Sequence, residues 1–205
     1  MQNIKEKKTL SHCDNGISDC SICPLNSKLN CKFTIKDTIL FNITFLAYFI
    51  PAILGMILGG FWLWILPYTV YWIFFIQIWE NKTLCSHCPH YGNERKTINC
   101  YGNYGIYNLW KYNPIPMSIS HQIQFIVGIG ILLLYPIPFL ILGNQFLMLI
   151  LSIVGILIWI SNQLIRMCSH CINLSCPLNR VPKNIASEYL KKNEAMRNAW
   201  NYPEK

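Results

Sequence analysis

Charge is missing from long stretches of this chain. No Lys, Arg, Asp or Glu occurs in residues 38–79 or 121–165, and 53% of the whole chain is hydrophobic. Four apolar runs fill these regions, at residues 38–59, 61–79, 121–142 and 145–165. A bilayer core about 30 Å thick needs about 20 apolar residues in each helix that crosses it. The sequence therefore predicts an all-α integral membrane protein with four transmembrane helices.

The signatures of several enzyme and transporter classes are also absent. The chain has no Walker-type loop and no glycine-rich dinucleotide fingerprint. Its apolar runs lack the internal charges that many proton-coupled pumps use. No Ser–His–Asp or paired-carboxylate arrangement is recognisable. These absences disfavour nucleotide hydrolysis and ion-coupled transport, and they leave open whether the protein is an enzyme.

Basic residues occupy only one side of the predicted membrane. All 17 Lys and Arg residues lie outside the apolar hairpins, and the two hairpin turns have none. Because positively charged segments resist translocation, we expect a multi-pass protein of the cell membrane with both termini in the cytoplasm. The first 35 residues contain no apolar run, so no signal peptide is expected. Topology and contact with anionic lipid explain the net charge of +8, and no nucleic-acid partner is expected.

All ten cysteines lie on this same predicted cytoplasmic side. Thiols stay reduced there, which favours metal ligation or redox chemistry over structural disulfides. The predicted organisation is a Cys-rich tail (1–37), a hairpin (38–79), a loop (80–120), a second hairpin (121–165) and a second Cys-rich tail (166–205). Within the last tail, residues 185–200 predict a short amphipathic helix that docks on the protein's own head or on the membrane surface.

The two hairpins look like copies of one unit. The second run leads to Cys85-Ser-His-Cys88, and the fourth leads to Cys168-Ser-His-Cys171 at nearly the same spacing from the preceding turn. One further thiol follows each motif, Cys100 in the first copy and Cys176 in the second. The repetition of the motif at equivalent helix ends predicts two repeated hairpins, each with its own cysteine loop.

Prolines interrupt the apolar runs at Pro51, Pro67, Pro136 and Pro138. Proline lacks a backbone N–H and should kink a helix, leaving a carbonyl that a neighbouring group must satisfy. The second run is also crowded with aromatic residues. Packing at the membrane interfaces explains them, and a flat-ring site such as a quinone pocket is the alternative.

The loop and C-terminal cysteines are candidate metal ligands, namely Cys85, Cys88, Cys100, Cys168, Cys171 and Cys176. The two CxxC pairs could meet in one four-thiolate site. Alternatively, each repeat could build its own site from three thiolates and a fourth ligand, for which His87, His90 and His170 are candidates. We favour separate sites, because Cys100 and Cys176 otherwise need another role.

The N-terminal tail contains four more candidate ligands, Cys13, Cys20, Cys23 and Cys31. The run CDNGISDCSICPLNSKLNC resembles the iron–sulfur loop of endonuclease III-type and adenine-specific DNA glycosylases, C-x6-C-x2-C-x5-C. The resemblance covers these 19 residues, and the last gap here is seven residues long instead of five. It implies a [4Fe–4S] cluster, which four thiolates usually bind, and it does not imply base excision. Structural Zn²⁺ is the alternative occupant.

These features favour electron transfer at the cytoplasmic face of the membrane. Iron–sulfur centres there would exchange electrons with a membrane acceptor, for which a quinone is a candidate, or with a protein partner. The main alternative is a zinc- or cluster-stabilised docking subunit of a membrane complex, because metal binding can supply folding free energy to small loops. A thiol redox or metal-handling protein is a further alternative.

Overall fold

Four long apolar helices dominate the computed structural model, which describes residues 24–31, 33–91, 96–98 and 100–203. The four helices span Ile35–Leu58 (α1), Trp62–His87 (α2), Ile119–Leu142 (α3) and Phe146–His170 (α4), and each is long and apolar enough to cross a membrane. Two short helices follow, Lys183–Lys192 (α5) and Glu194–Ala199 (α6). The predicted all-helical fold with four membrane-length helices is confirmed.

The outward faces of the four long helices are covered by exposed apolar side chains. Ile43 is 59% exposed, Leu66 72%, Ile123 57% and Ile150 59%, and many similar residues surround them. Soluble monomers rarely expose apolar patches larger than a few hundred Å². An apolar surface that runs around all four helices is therefore suited to contact with lipid.

Helices α2 and α4 continue beyond the predicted ends of their apolar runs at residues 79 and 165. Each helix widens into a π-helical turn, at Phe75–Glu80 and Gln163–Met167, and closes with a 3-10 turn at Cys85–His87 and Cys168–His170. The charge of Glu80 suggested an end to the second run, but Asn103 Nδ2 donates a hydrogen bond to its carboxylate at 3.1 Å. The first cysteine of each CSHC motif consequently lies on the last helical turn.

Helices α1 and α4 pack backbone against backbone at Gly155. A Cβ atom at this position would lie 2.6 Å from the Ala47 carbonyl oxygen and 2.6 Å from backbone atoms of Tyr48. The Ala47 carbonyl lies four residues before Pro51, so it lacks its usual helical N–H donor. Glycine thus permits the close approach of two helices at a point where proline has opened one of them.

The two hairpin turns lie together at one end of the helices. A Cβ atom on Gly143 would lie 2.8 Å from Gly59 Cα. Helices α1 and α3 run towards these turns, and α2 and α4 run away from them to the CSHC motifs. The cysteines that the structure describes therefore gather at the opposite end, in a compact region that we call the head (residues 24–31, 85–91, 96–98, 100–117 and 168–203).

The carbonyl that Pro136 releases in α3 is bound by tyrosines from the other hairpin. Pro136 cannot donate to the Leu132 oxygen four residues earlier. The hydroxyl of Tyr48 donates to this oxygen at 3.1 Å, and the hydroxyl of Tyr68 donates at 3.0 Å. All three residues are buried. The predicted satisfaction of a freed carbonyl by neighbouring groups is confirmed here.

Replacing both Tyr48 and Tyr68 by Phe should lower the free energy of unfolding by roughly 1–3 kcal/mol, because the Leu132 oxygen loses both donors. Pro136→Ala in that background returns an N–H four residues downstream and should recover part of the loss. Thermal unfolding in detergent measures both changes. An equal change in the free energy of unfolding on Pro136→Ala, whether tyrosine or phenylalanine occupies positions 48 and 68, would show that the tyrosines do not stabilise the Leu132 carbonyl.

The C-terminal segment packs against the rest of the head. Tyr189 and Met196 are fully buried in an apolar cluster with Leu25, Leu29 and Ile172. The single helix predicted for residues 185–200 is divided into α5 and α6 at Asn193, whose side chain caps α6 by accepting from the Met196 N–H at 2.9 Å. Of the two docking sites expected for this segment, the protein's own head is the one it contacts.

Candidate functional site

One cavity of about 440 Å³ lies where the helices meet the head. Six cysteines line it, three from each predicted repeat: Cys85, Cys88, Cys100, Cys168, Cys171 and Cys176. The rest of its wall includes apolar side chains from all four long helices, among them Phe45, Trp72, Phe75, Phe125, Leu132 and Trp159. The cavity thus has a thiol-rich half in the head and an apolar half between the helices.

The two CSHC motifs reach this cavity by the same local geometry. Cys88 and Cys171 have extended backbone conformations, with ψ values of 135° and 128°, directly after their 3-10 turns. Ser86 Oγ donates to the carbonyl four residues earlier at 2.6 Å, and Ser169 Oγ does the same at 2.6 Å. In both motifs the serine hydroxyl donates a hydrogen bond to a carbonyl near the helix end. The helix then ends, and the chain continues into the head from the extended second cysteine.

For four of the thiols, a backbone N–H group two residues further along the chain acts to lower the pKa of the cysteine. The donors are the N–H groups of His90 for Cys88, Gly102 for Cys100, Asn173 for Cys171 and Leu178 for Cys176. Hydrogen bonds to sulfur favour the thiolate over the thiol. The two remaining thiols differ, since Cys85 accepts from the Asn103 side chain at 3.2 Å and Cys168 is influenced instead by the charge of Arg180.

Burial dominates the acidity of these four thiols. It raises the pKa of Cys100 to about 11 and that of Cys176 to about 12, although the backbone N–H groups act in the opposite direction. Burial also raises the pKa of Cys88 and of Cys171, and repulsion between neighbouring thiolates adds to the effect. Among the described lining residues there is no Lys or Arg. Thiolates in this cavity would need a bound cation to balance their charge.

The cavity thiols are electrostatic neighbours, and Cys85 and Cys168 belong to the same set through Cys100 and Cys176. Cys88 is affected by Cys100 and Cys176, and Cys171 is affected by Cys88, Cys100 and Cys176. They nevertheless surround the cavity without meeting at one point. Within the described ranges, no three His, Cys, Asp or Glu side chains are grouped closely enough to hold a metal ion. The arrangement is a thiol-lined chamber and not a closed tetrahedral site.

Of the three histidines predicted as ligands, His90 borders the cavity, and its Nε2 lies 3.2 Å from the Asn30 carbonyl oxygen. His87 is directed elsewhere, with Nδ1 2.9 Å from the Ile115 carbonyl oxygen and Nε2 3.2 Å from His121 Nδ1. His170 is exposed, and its Nδ1 lies 3.1 Å from the Arg166 carbonyl oxygen. The structure therefore brings only His90 of the three to the thiols.

The predicted N-terminal ligands are only partly covered by the structure. Cys13, Cys20 and Cys23 lie outside the described residues. Cys31 is 1% exposed and belongs to the apolar cluster of the head, away from the cavity lining. The adjacent Asn30 N–H donates to the His170 carbonyl at 2.7 Å. The four-cysteine loop stays a prediction. Asn30, the residue before its last cysteine, is hydrogen-bonded to His170 of the second CSHC motif.

Several polar residues of the cavity were not among the predicted site residues. Glu80 and Gln163 line its wall, and Asn103 and Tyr101 contribute from the central loop. A sequence signal for the first pair exists, because Glu80 and Gln163 each stand five residues before the first cysteine of a CSHC motif. No comparable signal marks the loop residues, whose positions depend on how the loop folds.

No protein-family model matches the chain, and comparisons with curated proteins and with solved structures find no match. Functional conclusions must therefore come from the chemistry of the cavity itself.

Proposed function

We propose that this protein transfers electrons at a membrane surface by means of an iron–sulfur centre in the thiol-lined cavity. The proposed ligands are Cys88, Cys100, Cys171 and Cys176. The observation that carries the proposal is that these four thiols line one cavity together, within a set of six cysteines contributed by both predicted repeats. Two come from each half of the chain, so a shared centre would join the halves.

The chemistry of the lining supports a cluster. Soft thiolate ligands suit iron–sulfur clusters and zinc, and a bound cation would favour deprotonation of thiols whose pKa values burial raises. Hydrogen bonds to the sulfur ligands and burial are the means by which proteins adjust cluster reduction potentials. A bound [4Fe–4S] cluster would supply one-electron transfer. The backbone N–H groups would stabilise the thiolate ligands, and the surrounding apolar wall would exclude water.

The N-terminal loop is proposed as a second centre, with Cys13, Cys20, Cys23 and Cys31 as ligands. Its described end supports this placement, because Asn30 contacts both His90 and the carbonyl of His170. A soluble one-electron carrier protein is the proposed electron source. Clusters bound by these cysteines would supply one-electron transfer between that carrier and an acceptor in the membrane.

The proposal includes a duplicated origin and a cytoplasmic head. The matched π and 3-10 turns at the ends of α2 and α4 support two repeated hairpins. The absence of basic residues from both hairpin turns supports a cytoplasmic position for the head in the cell membrane. Fusing a reporter enzyme that is active only in the cytoplasm to residue 205 should give full activity, whereas a fusion between residues 59 and 60 should give none.

Anaerobic purification in detergent, with iron, acid-labile sulfide and zinc measured on one sample, tests the function. We expect iron and sulfide in equal amounts and a cluster signal that dithionite reduction changes. Zinc without sulfide would contradict electron transfer by this protein.

A metal-stabilised docking subunit is the second candidate, and one observation favours it. The N-terminal segment, Ile172 and both C-terminal helices form a single apolar cluster beside the thiol loops. Metal binding in the adjacent cavity could stabilise that cluster as a platform for a partner protein. Zinc in the purified protein, with loss of a co-purifying membrane partner when Cys171 is replaced, would support this role.

A further inference from the structure

The apolar half of the cavity has the properties of a ligand site in its own right. We infer that it binds a flat, lipid-soluble ring with carbonyl oxygens, of the quinone class, beside the thiols. This inference deepens the proposed electron-transfer function, on which its redox meaning rests, by naming the membrane acceptor and the residues that hold it. The binding site itself depends only on the side chains between the helices.

Two buried donors in α4 carry the inference. Trp159 is 8% exposed and Gln163 is 6% exposed, and both side chains line the cavity. Neither Trp159 Nε1 nor Gln163 Nε2 has a hydrogen-bond partner in the part of the chain that the structure describes. A buried donor without an acceptor costs roughly 1–3 kcal/mol. The two residues are four positions apart, on one face of the helix, where a carbonyl-bearing ligand could accept from both.

The aromatic part of the cavity wall is suited to a flat ring. Trp72 and Phe75 contribute from α2, Phe125 from α3 and Phe45 from α1. Aromatic side chains stack with ring ligands in offset or edge-to-face arrangements. The whole cavity, with its thiol-rich half included, has a volume of about 440 Å³, and small-molecule sites usually have volumes of roughly 300–1,000 Å³. An apolar wall with a few polar donors is the composition that such sites share.

A path from the bilayer also exists. Asn42 of α1 and Ile73 of α2 line the cavity, yet both are exposed on the outer surface, Ile73 by 52%. The cavity therefore extends to the lipid-facing surface between these two helices. A ring carried on an isoprenoid tail could enter sideways and leave its tail in the lipid, without crossing the polar head.

The proposed reaction balances with components already named. Conversion of a bound quinone to its quinol consumes two electrons and two protons, and the protons would come from water at the head. The electrons come from the reduced soluble carrier proposed above. The thiols and the ring would line one continuous cavity, so no protein layer separates donor from acceptor.

Binding of a short-chain quinone to the purified, full-length protein in detergent tests this inference. Equilibrium dialysis with a labelled menaquinone or ubiquinone analogue should show saturable binding. Trp159→Phe keeps the ring but removes the N–H, and Gln163→Leu keeps the approximate volume but removes the amide. We expect each change to weaken binding about fivefold, as loss of one neutral hydrogen bond does.

Two matched variants provide the controls. Trp62→Phe makes the same change at a tryptophan that is 62% exposed and lies outside the cavity. Gln124→Leu makes the same change at a glutamine that donates to Ser120 within its own helix. Both should bind quinone as the unaltered protein does. Failure of the analogue to bind, equal effects of control and test variants, or equal competition by a simple alkyl chain would each overturn the inference.

Iron and sulfide measured on the same samples separate the two proposals. Quinone binding by a protein that contains no iron would support the ligand site and contradict the proposed electron transfer. Iron and sulfide in a protein that does not bind quinone would support the proposed electron transfer and contradict a quinone as its acceptor.

Discussion

Replacing Cys171 by Ser should release the iron of the cavity centre, whereas the same replacement at Cys168 should leave it bound. Both thiols belong to one CSHC motif and both line the cavity. Cys171 has a backbone donor and interacts with Cys88, Cys100 and Cys176, while Cys168 is on the last helical turn. With one of four ligands lost, we expect a loss of about four iron atoms per protein, the content of a [4Fe–4S] cluster.

The companion pair Cys88→Ser and Cys85→Ser should repeat this contrast in the first motif. Iron and sulfide per protein, with electron paramagnetic resonance of the reduced sample, provide the measurement. Equal losses from Cys168→Ser and Cys171→Ser would instead indicate the site expected from the two CxxC pairs alone. Loss confined to one motif would favour separate centres in the two repeats.

Cys20→Ser separates the cavity centre from the N-terminal one. If two centres are present, this change and Cys171→Ser should each remove about half of the iron, and the double variant should remove nearly all of it. If Cys20→Ser leaves the iron content unchanged, the resemblance of the N-terminal loop to the glycosylase cluster loop does not extend to metal binding.

Gly155→Ala should strongly destabilise the packing of α1 against α4. The new Cβ would meet backbone atoms of Ala47 and Tyr48 at 2.6 Å, and backbone cannot move aside without separating α1 from α4. Overpacking of a tight interface typically costs about 1–3 kcal/mol and sometimes more. We expect about 3 kcal/mol, seen as a large fall in the thermal unfolding midpoint in detergent.

Gly130→Ala is the matched control in α3, because a Cβ atom there meets nothing within 4 Å. The same change should leave stability unaltered or raise it by up to about 1 kcal/mol, the usual gain of alanine over glycine inside a helix. Similar unfolding midpoints for the two variants would show that α1 and α4 do not pack as closely as described.

The fold could be predicted from the sequence because membrane crossing is a local property. A charged group in the bilayer interior is costly wherever it stands, so the uncharged residues of 38–79 and 121–165 predict four helices without knowledge of their neighbours. Helix α2 continues past the end of its apolar run at residue 79, where the Glu80 carboxylate accepts a hydrogen bond from Asn103. That partner lies 23 residues away, and no pattern in the apolar run indicates it.

The candidate site could be predicted only as a set of residues. The sequence identified all six cysteines of the cavity and predicted that they lie on one side of the membrane. It could not distinguish His90, which borders the cavity, from His87, which contacts His121 instead. The two histidines stand three residues apart in similar surroundings, and the direction of each ring depends on where the central loop meets α3.

What the sequence alone determined is which segments are apolar and on which side the charges and thiols lie, because these follow from the cost of burying each residue type. What the tertiary structure decided is which helices are neighbours. The contact of α1 with α4 at Gly155 and the common cavity at the ends of α2 and α4 bring residues more than 80 positions apart together. Apolar helices of similar composition choose their neighbours by how well their surfaces fit together. That fit is defined only when all four helices have assembled.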